Sequence, residues 1–449
     1  TESELTQTPD FCLRLQFAKF VTIIEIMNSR DRIHFILLFI QYYDLQVQII
    51  AARADAAETK VLFCMLTTFL EIARNFLLVI KEYRAKRKSP LIWRKERTSL
   101  FWEKECQECS DLDFKNIFRL ERRSFFELCD ILKGIGKEDT NYRKAITLEK
   151  RIAIALYALG SSAEYRTVAS LFGVSNSSVC RIVREFCAAV WNALKPNYLN
   201  YFPLTETVAQ TIVNDFNNMG FPQCIGALDG CHIEVKPKKE DAVDYYNYKG
   251  WYSVVLLALV DSRYRFLYIN VGSPGRCNDS GIYERSSLKA ELLRCKLLYD
   301  QRKSFNNVEI PLVIIADSAF RLSRNVLKPF PFNVENTTAQ REFNYRLSRC
   351  RRVVENAFGH LKARFRRIGK GLDNRIDNTN AIIKACCVLH NFLISQRDYI
   401  TDTWLPDPGS MTEEQSRVVP LNERRLNLGD CYRNALSQHF AQDPIQSSI

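Results

Sequence analysis

The apolar residues of this chain repeat with two different periods, and the change between them divides the sequence. Before residue 200, apolar side chains recur every three or four positions, as in Val179, Ile182 and Phe186, which is the spacing of one buried helix face. From about residue 221, short β-branched runs such as YSVVLLALV alternate with turn residues, which predicts strands. We therefore predict an all-helical N-terminal region followed by a mixed α/β domain with helices on the faces of its sheet.

The second region contains both strand-like and helical segments. The predicted strands are Cys224–Leu228, Ile233–Val235, Tyr252–Val260, Phe266–Val271 and Leu312–Ala316. The predicted helices are Gly281–Arg294, Arg351–Arg367, Ala381–Ile394 and a final short one near Cys431–Phe440. The domain prediction has four regions: a helical region over 1–100 whose role is unassigned, with oligomerisation and partner binding as candidates, a helical region over 101–200, the nuclease domain over 201–396 and a tail with a short helix over 397–449.

Residues 147–192 form a candidate helix-turn-helix. Thr147 precedes the helical run LEKRIAIALYALG, the short segment EYRTVASLFG follows, and a glycine-containing turn leads into a longer helix. A recognition helix presents polar side chains from its first turns to DNA. In the longer helix we expect outward positions for Asn176, Ser177, Ser178, Arg181 and Arg184. The alternative is a three-helix packing unit without a DNA contact.

Charge narrows the class of partner. The chain has 449 residues, and its 63 Lys and Arg exceed its 51 Asp and Glu, giving a net charge of +12. Such a surplus favours nucleic acid or an anionic membrane as partner.

No apolar run reaches the roughly 20 residues of a membrane span, so we predict no membrane insertion. The 15 cysteines are scattered and often lie in apolar runs, which favours a reducing compartment, the nucleus or the cytosol.

Acidic residues in apolar contexts supply the candidate chemistry. Asp229 and Asp317 each follow a β-branched run, which predicts positions at the carboxyl ends of buried strands, and Glu355 lies on a basic amphipathic helix. Carboxylates brought together in this way hold Mg²⁺ or Mn²⁺ for phosphodiester hydrolysis, usually as a pair of ions. Taken singly, each acid has a simpler explanation: Asp317 as a helix cap, Asp229 as a turn residue, and Glu355 as a partner of Arg351, Arg352 or Lys362.

Two further groups of residues adjoin these acids. Asp279 opens a helical segment, where it either caps the helix or serves as a metal ligand at the edge of the site. Near the end of the Glu355 helix, we predict that four basic side chains are free to meet phosphates: Lys362, Arg364, Arg366 and Arg367. The chain lacks the sequence motifs of P-loop NTPases, dinucleotide-binding enzymes, esterases and zinc hydrolases.

Six segments follow one another along the chain: GALDGCHIEV, YYNYKGWYSVVLLALVD, NVGSPGRCNDS, ADSAF, RRVVENAFGHLKARFRR and CCVLHNFL. In these segments, and from about Phe114 to Phe440, the chain resembles the PIF/Harbinger transposases and the nucleases derived from them. The resemblance implies an RNase H-like fold with a DDE site formed by Asp229, Asp317 and Glu355, with Asp279 among the metal-associated acids. It also implies that the helices around 147–191 are the family's helix-turn-helix module.

An active member of this family is expected to cut DNA at terminal inverted repeats and to join the freed 3′ ends to target DNA. The resemblance further implies a Myb-like DNA-binding accessory protein, and the pairing of two DNA ends favours a homodimer or larger assembly. Cys231, Asn278 and Asn356 depart from residues common in the family, but none of these changes removes an acid. The alternatives are a domesticated protein that binds DNA without cutting it and an RNase H-type enzyme that acts on hybrids.

Overall fold

The computed structural model describes residues 99–141, 144–202, 204–332, 335–405 and 428–442, together with isolated positions between 64 and 78. The chain forms two compact units, Thr1–Glu96 and Arg97–Ile449. In the first unit the isolated described positions, such as Cys64 and Thr67, are helical. The other residues of the predicted helical region, up to residue 98, lie outside the described residues. No helix among the residues described is long and apolar enough to span a membrane.

The second unit begins with a helical layer. After a π-helical turn, Phe101–Glu105, and a short helix, Cys106–Glu108, the labelled helices are α1 Asp111–Phe118, α2 Arg122–Ile131, α3 Leu148–Gly160, α4 Tyr165–Leu171, α5 Asn176–Tyr198 and α6 Glu206–Asn218. Thr147 caps α3 by accepting from the Lys150 N–H, and Ser175 caps α5 by accepting from Ser178. Helices α3, α4 and α5 pack against one another, and the predicted buried face of α5 is confirmed by Val179, Ile182 and Val190.

A five-stranded mixed sheet forms the centre of the unit. Its strands are β1 Cys224–Glu234, β2 Ser253–Val260, β3 Phe266–Pro274, β6 Val313–Ala316 and β7 Val326–Leu327, in the spatial order β3-β2-β1-β6-β7. Strands β1, β2 and β3 are antiparallel neighbours, whereas β1 pairs with β6 in parallel. A separate hairpin is formed by β4 Lys303–Phe305 and β5 Val308–Ile310. The mixed α/β class predicted from the sequence is therefore confirmed.

The helices that cover the sheet come both before and after strands β6 and β7 in the sequence. They are α7 Asp279–Glu284, α8 Ser287–Arg294, α9 Lys296–Asp300, α10 Thr338–Arg364, α11 Ile376–Ser395 and α12 Leu428–Gln442; short helical turns lie at Ala242–Tyr245, Lys133–Ile135, Arg366–Gly369 and Asp402–Trp404. Helix α10 packs on β1 and β2, and α11 packs on β3 and α5. The sheet strand β2 is fully buried between these layers, which explains its uninterrupted apolar sequence.

Two predicted strands are one. The runs Cys224–Leu228 and Ile233–Val235 join into the single strand β1, so Asp229 lies within a strand and does not end it. The antiparallel ladder with β2 continues without a break from Ala227 to Glu234, and this pairing holds the polar Asp229–Gly230 pair in extended conformation. The predicted helix Gly281–Arg294 is likewise two helices, α7 and α8, separated at Arg285–Ser286.

Candidate active site

The pairing of β1 with β6 brings two of the predicted acids together. Leu228 on β1 is the register partner of Ala316 on β6, so Asp229 and Asp317 are the next residues on two parallel neighbouring strands. Adjacent strands are about 4.8 Å apart. Strand β6 ends at Ala316, whereas β1 continues with β2 on its other side, so the carboxylates lie at the opening where β1 loses its β6 neighbour.

Asp279 joins this pair from another part of the chain. It is the first residue of α7, and its carboxylate lies directly over Gly230: a Cβ atom at Gly230 would be 2.2 Å from Asp279 Oδ1. Glycine is therefore required next to Asp229. The cap of α7 is Asn278, whose Oδ1 accepts from the Gly281 N–H at 2.8 Å, so the capping role considered for Asp279 is wrong. Asp279 Oδ1 is buried without a hydrogen-bond partner among the described residues.

Burial and the neighbouring negative charges raise the pKa values of Asp229 and Asp279. The pKa of Asp229 is raised to about 8, mainly by burial and further by the charges of Asp317 and Asp279, while Arg351 and the Gly230 N–H oppose the shift. The pKa of Asp279 is raised to about 6, first by burial and then by Asp317. A group of partly buried carboxyls with raised pKa values is typical of a cation-binding or catalytic site.

The third predicted acid, Glu355, does not join the other carboxylates directly. It lies on α10 with 46% of its side chain exposed, and its Oε1 accepts a hydrogen bond from Arg351 one turn earlier. The ion pair considered as an alternative from the sequence is therefore present. Glu355 is close to the site, because Arg351 senses the charges of Asp229, Glu355 and Asp317 together.

Arg351 is a site residue that the sequence analysis did not propose. Burial lowers the pKa of its guanidinium, but the three acids raise the pKa by more, and the net shift is upward. Lys249 is a second unanticipated cation, since its charge lowers the pKa of Asp279. The only sequence signal for Arg351 was its position four residues before Glu355, which predicts a helical ion pair and not a place among strand carboxylates.

The donor set suits a hard divalent cation in its chemistry. Carboxylate oxygens are the ligands that Mg²⁺ and Mn²⁺ prefer, and the unpartnered Oδ1 of Asp279 is a buried acceptor that a cation would satisfy. Within the part of the chain that the structure describes, no group of three or more His, Cys, Asp or Glu is close enough to hold a metal ion. The charges of Asp229, Asp279 and Asp317 thus influence one another, although the three residues do not form a closed ligand shell.

Helix α5 presents most of its predicted DNA-facing residues to solvent. Asn176, Ser177, Arg181 and Arg184 are exposed. The prediction that Ser178 points outward is wrong, because its side chain is buried and its hydroxyl lies 2.7 Å from that of Ser175. Ser178 thus packs inside the capped N-terminus of the helix.

Two of the four basic residues near the end of α10 are occupied by the fold. Arg364 is buried; it donates to the Arg119 and Asp398 carbonyl oxygens and pairs with the Asp398 carboxylate at 3.4 Å. Arg367 donates to the Ala163 carbonyl at 3.0 Å and lies over the Tyr165 ring. The prediction that these two are free to meet phosphates is wrong, since both link helices. Arg366 is exposed and Lys362 is half-buried.

Comparison with known proteins identifies the region that carries the site. Residues 228–391 match the family described as DDE superfamily endonuclease, and this span contains Asp229, Asp279, Asp317 and Glu355. Residues 96–192 match a domain of unknown function, DUF8040. The HARBI1 protein of Mus musculus, named as a candidate nuclease, is 26% identical over 311 residues, covering 68% of this chain and 84% of the relative. Residues 228–391 thus resemble a DDE superfamily endonuclease domain, and the chain is similar over most of its length to proteins named as HARBI1 nucleases.

Two plant proteins are also similar to the chain. Protein ALP1-like of Arabidopsis thaliana is 28% identical over 306 residues, which cover 64% of this chain and 72% of that protein. The Arabidopsis thaliana protein named Antagonist of Like Heterochromatin Protein 1 is 27% identical over 346 residues, covering 74% of this chain and 84% of its own length. No solved structure gives a significant match to the chain.

Proposed function

We propose that the protein is a divalent-metal-dependent DNA endonuclease and transposase that cleaves phosphodiester bonds at terminal inverted repeats and transfers the 3′ ends to target DNA. The observation that supports the proposal is that Asp229, Asp279 and Asp317, from three separate segments of a DDE endonuclease domain, are near enough for their charges to influence one another. If each acid had only a local structural role, nothing would explain why partly buried carboxylates lie near enough to repel one another.

In this proposal Asp229, Asp279 and Asp317 hold Mg²⁺ or Mn²⁺, with two ions per site. When bound, such ions activate the attacking oxygen and stabilise the leaving oxygen of a phosphodiester. Asp229 and Asp317 are fixed by neighbouring strands, so their relative position changes little during binding. Glu355 is the fourth carboxylate, and it must exchange its bond with Arg351 for the site before its oxygens can act as ligands.

DNA binding is assigned to two surfaces. The first is the α5 N-terminal turn in a helix-turn-helix, where exposed Arg181 and Arg184 would contact phosphates or base edges. The second is the end of α10, where the exposed Arg366 and the half-buried Lys362 would contact phosphates. We place the protein in the nucleus with access to the cytoplasm, as a homodimer or larger assembly, with a Myb-like DNA-binding protein as accessory partner.

A second candidate function is DNA binding or scaffolding without cutting. The observation that favours it is the ion pair of Glu355 with Arg351, together with the open arrangement of the other acids among the described residues. One relative is named as an antagonist of a heterochromatin protein, which is a role in chromatin and not a named cutting activity. On this hypothesis the protein binds duplex DNA through α5 and shows no metal-dependent nicking.

The test is cleavage of labelled DNA that carries the terminal repeats, with Mg²⁺, with Mn²⁺ and with EDTA. We expect wild-type protein to cut only with a divalent ion, and Asp229→Asn and Asp317→Asn to lose at least about 100-fold in rate, because each removes a charged ligand. Asp130→Asn, an exposed acid on α2, is the matched control and should keep wild-type cleavage. Equal cleavage by wild type and both site variants would refute the nuclease proposal, and binding without nicking would support the second candidate.

A further inference from the structure

The aromatic loop, defined here as residues 245–252 with the sequence YYNYKGWY, exposes several tyrosine rings beside β2. Tyr248 is 80% exposed and Tyr246 is 51% exposed, and the Tyr246 and Tyr252 rings lie edge to face at 5.5 Å. Large aromatic surfaces left in water on a folded segment are typical of ligand-binding regions.

Hydrogen bonds hold this loop in one conformation. The buried Asn247 accepts from the Lys249 N–H at 2.9 Å and from the Trp251 N–H at 3.3 Å, and its side-chain amide donates to the Ser253 hydroxyl at 2.9 Å. The turn is closed by Gly250, whose φ of +88° suits glycine. The exposed Tyr248 ring is therefore presented by an ordered turn, which reduces the entropy lost when a ligand binds to it.

The aromatic loop lies beside the carboxylates. His232, three residues beyond Asp229 on β1, contacts the Tyr248 ring at 5.6 Å and the Trp251 ring at 5.9 Å between centroids. Residues 230 and 232 lie on the same face of β1, and Asp279 covers Gly230 on that face. The distance between these two strand positions is about 7 Å. Tyr248 and Asp279 therefore lie over the same face of β1, at positions two residues apart along the strand.

A second attachment joins the loop region to the segment that carries Asp279. Arg276 pairs with Asp244 at 2.8 Å, and the Arg276 N–H donates to the Asp244 carbonyl at 3.2 Å. Gly275 allows this close approach, since a Cβ atom there would lie 2.6 Å from the Tyr245 carbonyl oxygen. The aromatic loop and Asp279 are thus fixed relative to each other.

The chemistry of the loop suits a nucleotide. An aromatic face accepts a stacked base of any sequence, and a neighbouring ammonium group favours its phosphate. Lys249 supplies this charge: its Nζ is 5.5 Å from the Tyr248 ring centroid, and its influence reaches Asp279. A base inside a duplex is already stacked on both faces, so only an unpaired base can use the ring.

We propose that the aromatic loop holds an unpaired nucleotide of the DNA substrate on the face of β1 that Asp279 covers, with Tyr248 stacking on its base and Lys249 facing its phosphate. This inference rests on the proposed nuclease function and adds the structure of the DNA that the site accepts: a flap, an overhang or a locally melted end. It is separate from the duplex contact assigned to α5.

The test compares two DNA molecules of the same sequence, one blunt and one with a short single-stranded overhang, by fluorescence anisotropy with the full chain in EDTA and in Ca²⁺. We expect wild type to prefer the overhang, and Tyr248→Ala to weaken overhang binding by about 5- to 150-fold, the range for loss of one base–aromatic stack. Blunt-duplex affinity should not change. Tyr248→Phe should keep the preference, as should Tyr399→Ala, a control tyrosine that is 60% exposed outside the loop.

A 2-aminopurine base in the overhang reports stacking directly, because its fluorescence is expected to be quenched when it stacks. Quenching by wild type and Tyr248→Phe, and its loss in Tyr248→Ala with an unchanged melting temperature, would support the inference. Equal affinity of wild type for the two DNAs in both buffers, or full quenching by Tyr248→Ala, would overturn it. Neither the anisotropy nor the fluorescence depends on DNA cleavage. A protein that stacks the base in these tests but does not cut DNA in the cleavage assay would therefore overturn only the nuclease proposal.

Discussion

The position of Asp229 in the site lowers the stability of the folded protein at neutral pH. The folded protein holds a proton on Asp229 up to about pH 8, whereas an unperturbed Asp loses it near pH 3.8. Between these values the folded state binds more protons than the unfolded chain, so the contribution of this carboxyl to stability is present at low pH and is lost as the pH rises. Functional sites often carry such a destabilising group.

Asp229→Asn should therefore stabilise the protein in EDTA. The gain in free energy of unfolding over wild type should grow between about pH 4 and pH 8, by at most about 1.4 kcal/mol per pH unit, and level off above pH 8. Urea denaturation at several pH values measures it. Asp130→Asn on the surface should give a flat difference, and a flat profile for Asp229→Asn as well would contradict the raised pKa.

Arg351 provides a second prediction at the scale of one residue. Its guanidinium neutralises part of the negative charge of the site and binds Glu355, so it competes with a divalent cation. Arg351→Gln should tighten Mn²⁺ binding several-fold, measured by titration with electron paramagnetic resonance. Its exposed neighbour Arg352 is the matched control, and Arg352→Gln should leave the affinity unchanged. Weaker Mn²⁺ binding by Arg351→Gln would show that the arginine supports the cation site and does not oppose it.

At the scale of elements, the α5 helix makes the proposed DNA contact independent of the carboxylates. Its N-terminal turn is capped by Ser175, its inner face is buried on α3 and α4, and Arg181 and Arg184 project from the opposite face. The two arginines can therefore be removed without disturbing packing.

Arg181→Ala combined with Arg184→Ala should weaken duplex binding about 10-fold or more, because each loses a charge-assisted contact. Anisotropy titration at fixed salt measures the change. Arg294→Ala, which removes an exposed arginine at the end of α8, should bind as wild type does. If the double variant binds duplex DNA with wild-type affinity, α5 is not the recognition helix.

Elements differ in how far the sequence predicts them. Strands β2, β3 and β6 were placed within three residues at each end, since their apolar runs are long or bounded by turns. The first thirteen residues of α10 were missed, because the segment is mostly polar, although Thr337 and Gln340 form a capping box readable from the sequence. The β4–β5 hairpin was missed because its strands are short, and its turn uses Asn306 and Asn307 with positive φ.

The sequence predicts which residues belong to the candidate site better than it predicts how those residues are arranged. A buried run followed by Asp marked Asp229 and Asp317, but only the register of β1 with β6 shows that the two are adjacent. The contact of Asp279 with Gly230 and the position of Arg351 depend on tertiary packing between segments far apart in the chain. Local patterns carry no information about such contacts.

On the scale of the whole molecule, the net charge of +12 should dominate non-specific DNA binding. Neutralisation of phosphates releases counterions, so the logarithm of the binding constant should fall linearly with the logarithm of salt concentration, with a slope near −0.9 for each phosphate contacted. Titrations from low to moderate salt measure this slope, and the Arg181→Ala, Arg184→Ala double variant should reduce it by about 2. A flat profile would contradict phosphate-dominated binding.

We propose that Asp229, Asp279 and Asp317 hold a divalent cation in the DDE endonuclease domain. The most direct test of this proposal is anomalous diffraction from crystals soaked in Mn²⁺ and from matched crystals kept in EDTA. We expect an anomalous peak within coordination distance of both the Asp229 and Asp317 carboxylates, and we expect this peak to be absent from Asp229→Asn crystals. If manganese binds only elsewhere and neither Asp229 nor Asp317 contacts an ion, the proposed cation site is wrong.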